Sequence, residues 1–378
     1  MAGLGFGGKR QSSLYLSVGL ELVRNAVAPS TLRAYQGYFG SWVEFRLKVV
    51  CEPVFLEATE NPVVNVRSLL EYTAYAVATK KLQAQTVQSH LSAIKFFHRS
   101  SRGFELNTAH PLLRNALKGS ARSHAVAGSQ PRVRRPVSWP MLLAGEHLAQ
   151  TWGVGGRVLW LALGASFFFL TRAAEMFAET STRMHEIYGL RRGDVAFFRG
   201  GRQLEWGQWP TADRVEVRFR GSKGDQLRKG AVLTRARKGP PRPVGDGGGA
   251  VDLMIELLSC YLFLPPSAPL VAFGCGSGRW SMWSQTQATK ALRQVVSVAG
   301  MQAEEYALHS LRIGGATHLS AGGAAPEVLK REGRWTPGAY KGYVRNHGRD
   351  AQWVSGVMVD RSEGCKKQPG QGTKWGVV

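Results

Sequence analysis

The residues best suited to chemistry lie toward the C-terminus, in Leu308-His309-Ser310-Leu311-Arg312-Ile313-Gly314-Gly315-Ala316-Thr317. His309 and Arg312 are three apart, so a helix puts both on one face. A histidine and an arginine projecting together can clamp an oxyanion or a phosphate. Taken alone, the pair can equally be a surface turn of a helix. Upstream, Leu170-Thr171-Arg172-Ala173-Ala174-Glu175-Met176 brings Arg172 to the end of an apolar helix. A guanidinium there needs an anionic partner, because an unpaired buried charge is costly. Glu175 can be a structural partner, and a phosphate a functional one on the other edge. Lys223 sits in Gly221-Ser222-Lys223-Gly224-Asp225, which spells a tight turn. From there a flexible ammonium reaches either a substrate or plain solvent. Downstream come Gly333-Arg334-Trp335-Thr336-Pro337 and Ala339-Tyr340-Lys341-Gly342-Tyr343-Val344-Arg345.

These residues need elements to hold them. Ser30 and Thr31 precede a helix with apolar residues every three or four positions: Leu32, Tyr35, Phe39, Trp42, Val43 and Phe45. Further helices are predicted over Val66–Thr79, Thr86–Arg99 and Pro111–Ser120. The stretch Lys118–Pro136 carries Lys118, Arg122, Arg132, Arg134 and Arg135 with no acid, and reads as a basic linker. Ser138 is a candidate N-cap for a helix through Met141, Leu142 and Leu143. Val158–Leu170 is the longest apolar run; it is shorter than the roughly 20 residues of a membrane span, and reads as a buried core helix. Val195–Phe198, Val215–Phe219 and Ala231–Leu233 are predicted strands, the second by its alternation. Gly239–Gly249 is a loop. Helices resume at Val251–Leu264, Gln285–Ala299, His309–Gly322 and Pro326–Arg331.

Composition narrows the classes. The chain has 378 residues, with 49 Lys and Arg against 26 Asp and Glu, a net charge of +23. With 44% hydrophobic residues it can bury a core, which excludes wholesale disorder. The charge favours a polyanionic partner, nucleic acid before an anionic membrane. Between Tyr188 and Pro243 stand fourteen Lys or Arg against five Asp or Glu. The four cysteines are far apart and form no CxxC pair, which argues against a disulfide scaffold and suits a reducing compartment. The nine His and four Cys show no ligand spacing for a metal. Met1–Arg10 lacks an apolar stretch, so a secretory leader is not expected.

In order and interval, these pieces resemble the tyrosine recombinases, or phage-integrase-type site-specific recombinases. HSLRIGGAT (309–317) and GRW with AYKGYVR are most similar to the eukaryotic transposon branch, the Crypton- and DIRS-like elements. The resemblance covers about 138–348. It extends more weakly through STLRAYQGYFGSWVEF (30–45) and TVQSHLSAIKFFH (86–98). It implies a mainly α fold with a small antiparallel β-sheet. A flexible arm (1–12) would precede a helical SAM-like core-binding domain (13–125). A basic linker (126–136) would lead to an integrase-like catalytic domain (137–350) and a C-terminal tail (351–378), the whole forming a C-shaped DNA clamp.

The resemblance also implies a site. Arg172 matches the first active-site arginine, Lys223 the β-turn lysine, and His309 and Arg312 the HxxR pair. Trp335 falls where the family has His or Trp. Tyr343 matches the nucleophile, eight residues after Trp335. Many bacterial members place it nine residues on, so Tyr340 stands as the alternative. The implied reaction is attack on a scissile phosphate, giving a 3′-phosphotyrosyl link and a free 5′-hydroxyl. Lys223 would protonate the leaving oxygen, His309 would help with proton transfer, and Trp335 would donate a hydrogen bond or pack the site. No cofactor, metal or ATP is implied. The implied partners are double-stranded DNA and further copies of the chain, dimer or tetramer, with no membrane and no small-molecule substrate. The implied place is inside the cell with DNA, the nucleus in a eukaryote. All six positions are filled, so an active enzyme is expected. A type IB topoisomerase-like nicking-closing enzyme and a domesticated DNA-binding protein without turnover are the alternatives. Trp206 and Trp209 either stack on bases or pack the hairpin. The stripe Trp353, Val354, Val357 and Met358 either docks on a neighbouring copy or packs within the chain.

Overall fold

The computed structural model describes residues 26–126, 133–221, 225, 229–276, 279–336 and 338–344, with Val18 and Leu22 besides. The expected arm (1–12), the tail (351–378) with its apolar stripe, and Lys223 lie outside the described residues. The chain divides into two compact units, Met1–Pro131 and Arg132–Val378.

Among the described residues, the α-helices of the first unit include α1 (Pro29–Glu44), α2 (Pro62–Ala78), α3 (Ala84–Arg102) and α4 (Pro111–Val126). The apolar repeat of α1 delivers Trp42 to the centre, where its indole N–H donates to the Val54 carbonyl at 2.8 Å. Leu69, Tyr72, Leu91, Ile94 and Leu113 close the same core. Two histidines are buried in it. The Tyr72 hydroxyl and His90 Nδ1 lie 2.7 Å apart. His98 Nδ1 donates to the Ile94 carbonyl at 2.8 Å, and its Nε2 accepts from the Leu56 amide at 3.0 Å. That pattern requires a neutral ring. Burial pushes the pKa of both histidines down.

Two boundaries differ from expectation. Helix α2 starts at Pro62 rather than Val66, because the Asn61 side chain accepts from the Val63 amide at 3.1 Å and caps the end. Helix α4 runs to Val126 rather than Ser120. Lys118 and Arg122 therefore sit on a helix and not in a linker. Leu113 and Leu117 bury its inner face, and the good helix formers around them outweigh the cost of Gly119, ~1 kcal/mol.

The second unit contains α5 (Trp139–Ala144), α6 (Gly156–Phe168), α7 (Ala173–Met176), α8 (Ala250–Ser259), α9 (Gln285–Val298), α10 (Leu308–Ala321) and α11 (Pro326–Gly333). A four-stranded antiparallel sheet, in the order β2-β1-β3-β4, comprises β1 (Val195–Arg199), β2 (Arg202–Gln203), β3 (Arg214–Phe219) and β4 (Ala231–Ala236). Strands β3 and β4 pair up to the register Phe219↔Ala231. A separate hairpin, β5 (Ala272–Gly274) with β6 (Trp280–Met282), lies where no strand was expected; each strand is three residues, too short for alternation to register. Helix α8 ends at Ser259, five residues before the expected Leu264.

As expected, Ser138 caps α5, accepting from the Met141 amide at 3.4 Å. Helix α6 is apolar on every side because every side is covered: Val158 to Phe167 are all buried. No described helix is long and apolar enough to cross a membrane. Trp209 packs on Phe197, ring centroids 4.9 Å apart, whereas Trp206 is 65% exposed. The architecture is mainly helical with a small antiparallel sheet.

Candidate active site

The site grows from the C-terminal end of α6. A helix leaves its last carbonyls without intrahelical partners and concentrates partial negative charge there. Here three successive carbonyls each receive an arginine. The Phe168 oxygen accepts from Arg235 Nε at 3.0 Å and Nη2 at 2.8 Å. The Phe169 oxygen accepts from Arg334 Nη1 at 3.4 Å, and the Leu170 oxygen from Arg312 Nη1. Leu170 itself turns the chain with φ +49°, and the Thr171 amide returns to the Ser166 carbonyl at 3.2 Å. This is a Schellman closure with leucine where glycine is usual.

Helix α10 can reach this end because of its paired glycines. A Cβ on Gly314 would collide with the Val137 carbonyl oxygen, and one on Gly315 with the Phe167 carbonyl oxygen. With no side chains in the way, Arg312 enters the core almost fully buried, at 1% exposure. Its Nη2 donates to the Gly333 carbonyl at the end of α11. Burial first, then the charges of Arg172 and Arg334, push its pKa down to about 9.

Arg172 is the N-cap of α7, and Glu175 serves it as expected. Arg172 Nη1 meets Glu175 Oε1 at 2.9 Å, and the Arg172 amide donates to Oε2 at 2.8 Å. A second guanidinium shares that carboxylate: Arg334 Nη2 lies 2.6 Å from Oε2. Arg334 stands in the GRW motif, where nothing in the sequence sets it apart. It follows directly on α11, where only packing reveals its burial. Burial, above all, pushes its pKa down to about 10. Arg172, Arg312 and Arg334 thus gather around one carboxylate, Glu175, while Arg235 beside them pairs with Glu332 at 2.6 Å. Arg312 Nε, Arg334 Nε and Trp335 Nε1 are buried without a hydrogen-bond partner among the described residues. All three are donors, in a cluster with excess positive charge, so the arrangement suits an anion.

Tyr343 joins from the turn after Ala339–Gly342. Thr317 on α10 donates to its carbonyl at 3.2 Å. The Tyr343 ring lies 4.9 Å from that of His309 and 4.6 Å from that of Trp335, centroid to centroid. The Arg312 guanidinium carbon is 4.7 Å from the Trp335 centroid and 5.4 Å from that of Tyr343. The Tyr340 ring instead lies against Lys330, whose Nζ is 5.7 Å from its centroid. His309 is exposed on the same helix face as Arg312. Arg172, His309, Arg312, Trp335 and Tyr343 are therefore gathered in one region. Among the described residues, no three His, Cys, Asp or Glu side chains group to hold a metal ion.

No protein-family model matches the sequence, and no curated protein matches it. Solved structures do. The chain is similar to XerH site-specific recombinase in a post-cleavage complex with palindromic difH substrate, with TM-score 0.54 and 13% identity, covering 87% of this chain and 78% of that one. It is also similar to a lambda integrase (75–356) dimer bound to a COC′ core site, with TM-score 0.47 and 12% identity, covering 89% and 96%. A third is the Tn1549 transposon integrase (82–397) in complex with circular intermediate DNA, at 0.43 and 11%, covering 84% and 98%. The first likeness establishes a shared fold.

Proposed function

We propose that this chain is a tyrosine recombinase that cleaves and rejoins double-stranded DNA at specific sites through a 3′-phosphotyrosyl intermediate. The observation that carries the reading is the convergence of Tyr343 with His309, Arg312 and Trp335 beside an arginine cluster whose buried donors lack acceptors. A phosphodiester has one negative charge, which grows in the pentacoordinate transition state. Forked guanidiniums preorganised around it stabilise that charge. The Tyr343 oxygen bonds to phosphorus and gives up its phenolic proton toward His309, which assists proton transfer, while the P–O5′ bond breaks and the 5′ oxygen takes a proton from Lys223. Arg172 and Arg312 hold the non-bridging oxygens, and Trp335 donates a hydrogen bond through its indole N–H. The phosphodiester's energy stays in the covalent link, so another strand's 5′-hydroxyl can displace Tyr343 without ATP.

The shared fold with a site-specific recombinase and the net charge of +23 agree with this reading. The motif wording supports a mobile-element enzyme of the Crypton- and DIRS-like branch, working inside the cell as copies assembled on DNA. The test uses nicked suicide duplexes built from repeats flanking the coding sequence, resolved on a denaturing gel. A covalent protein–DNA band is expected, lost in Tyr343→Phe and kept in Tyr340→Phe. Loss in Tyr340→Phe alone would move the nucleophile; no band with any such duplex would favour a binding protein without turnover.

A further inference from the structure

The Arg334 side chain is buried and charged, its backbone is strained, and the mechanism above does not use it. Its φ of +52° and ψ of +48° place a non-glycine residue in the left-handed region, which is disfavoured for an arginine. Something must hold it there. Its side chain is held from three directions. Nη2 pairs with Glu175 at 2.6 Å, Nη1 donates to the Phe169 carbonyl at 3.4 Å, and the guanidinium lies 3.6 Å from the Phe219 ring centroid on β3.

The backbone so held faces both clamp arginines. The Gly333 carbonyl accepts from Arg312 Nη2, and the Arg334 carbonyl accepts from Arg172 Nη2 at 3.5 Å. Arg312 and Arg172 come from different elements and meet on two consecutive carbonyls. The next residue is Trp335, whose ring packs on Tyr343. Arg334 also supplies the second cation to Glu175, the carboxylate that orients Arg172.

We infer that Arg334 is a positioning residue: its side chain pins a left-handed backbone whose carbonyls set the geometry of Arg172 and Arg312. This rests on the recombinase reading for its consequence, but not for its geometry. The guanidinium acts through the two arginines and need not touch the phosphate.

The test separates backbone from charge. Asparagine tolerates the left-handed region and removes the cation; lysine keeps a cation that can reach Glu175. In the full-length protein, Arg334→Asn is expected to shift the Nε–H NMR resonances of Arg172 and Arg312 and raise their solvent exchange at least tenfold. Arg334→Lys should fall between it and wild type. On a suicide duplex, Arg334→Asn should lower the single-turnover cleavage rate about a hundredfold, with Kd for that duplex within threefold. Arg334→Lys should recover most of the rate. Combined with Glu175→Gln, Arg334→Asn should cost much less than it does alone, since both act on one carboxylate. Unchanged arginine resonances in both variants would overturn the inference whether or not the protein cleaves DNA. A wild-type rate in Arg334→Asn would overturn it too. Absence of cleavage by the wild type would sink the recombinase reading and leave the resonances to decide this one.

Discussion

At the scale of single residues, the site keeps charge where water cannot serve it. Arg312 is almost fully buried, with its ordinary pKa lowered to about 9 by burial and by like charges, so it still carries its proton at neutral pH. Two carbonyls hold it, and among the described residues no carboxylate forms an ion pair with it. Its Nε remains a desolvated donor without an acceptor among the described residues, as does Trp335 Nε1. Arg172→Ala or Arg312→Ala is therefore expected to leave duplex affinity within a few-fold, since most affinity comes from the surface, while cleavage falls by about 10²–10³ or more. Parallel filter-binding and single-turnover assays check this; a large binding loss with residual cleavage would contradict the clamp. The sequence made His309 and Arg312 legible by spacing and Arg172 by its place after an apolar run. Arg334 was not legible, because nothing local distinguishes a buried arginine from an exposed one.

At the scale of elements, a glycine pair and a helix end do the assembling. Adding a methyl to Gly315 pushes α10 off the Phe167 carbonyl and with it displaces Arg312. Gly315→Ala should cost about 1–3 kcal/mol by overpacking, read as a lower denaturant midpoint, and should abolish cleavage. Gly37→Ala, where a Cβ meets nothing, should leave both unchanged or slightly improved. In the first unit the buried neutral histidines set a pH dependence. Their pKa values are lowered in the fold, so below about 6.5 the unfolded chain takes up protons that the native unit refuses. The stability is fully present above that pH and is lost as pH falls. The full chain's melting temperature should drop between pH 7.5 and 5.5, and less steeply in His98→Gln; a flat profile would contradict the buried neutral rings. Helix positions followed from periodicity, but the far end of α4 and the β5–β6 hairpin did not. The end of α4 depends on what covers Leu117, and strands of three residues carry too little pattern.

At the scale of the whole molecule, the +23 charge is the dominant fact. If six to ten Lys or Arg neutralise phosphates, affinity should fall about 10³–10⁵-fold between 50 and 200 mM salt. Fluorescence anisotropy across a salt series measures the slope; a shallow one would argue against a duplex as the partner. The sequence alone was enough for the two-part organisation of motifs, the helical periods, the sheet's main strands and the candidate chemistry. Those are local: a period of 3.6 or 2, a cap, a turn, a word of nine residues. The packing of the Tyr343 ring on His309 and Trp335 and of the Tyr340 ring on Lys330, the purpose of Gly314 and Gly315, and the place of Arg334 came only with tertiary structure. Arg172 and Arg334 are 162 residues apart and meet at one carboxylate and one carbonyl. Which carbonyls a helix end leaves open, and which distant backbone comes close enough to fill them, is settled by packing across the core and not by any stretch of chain.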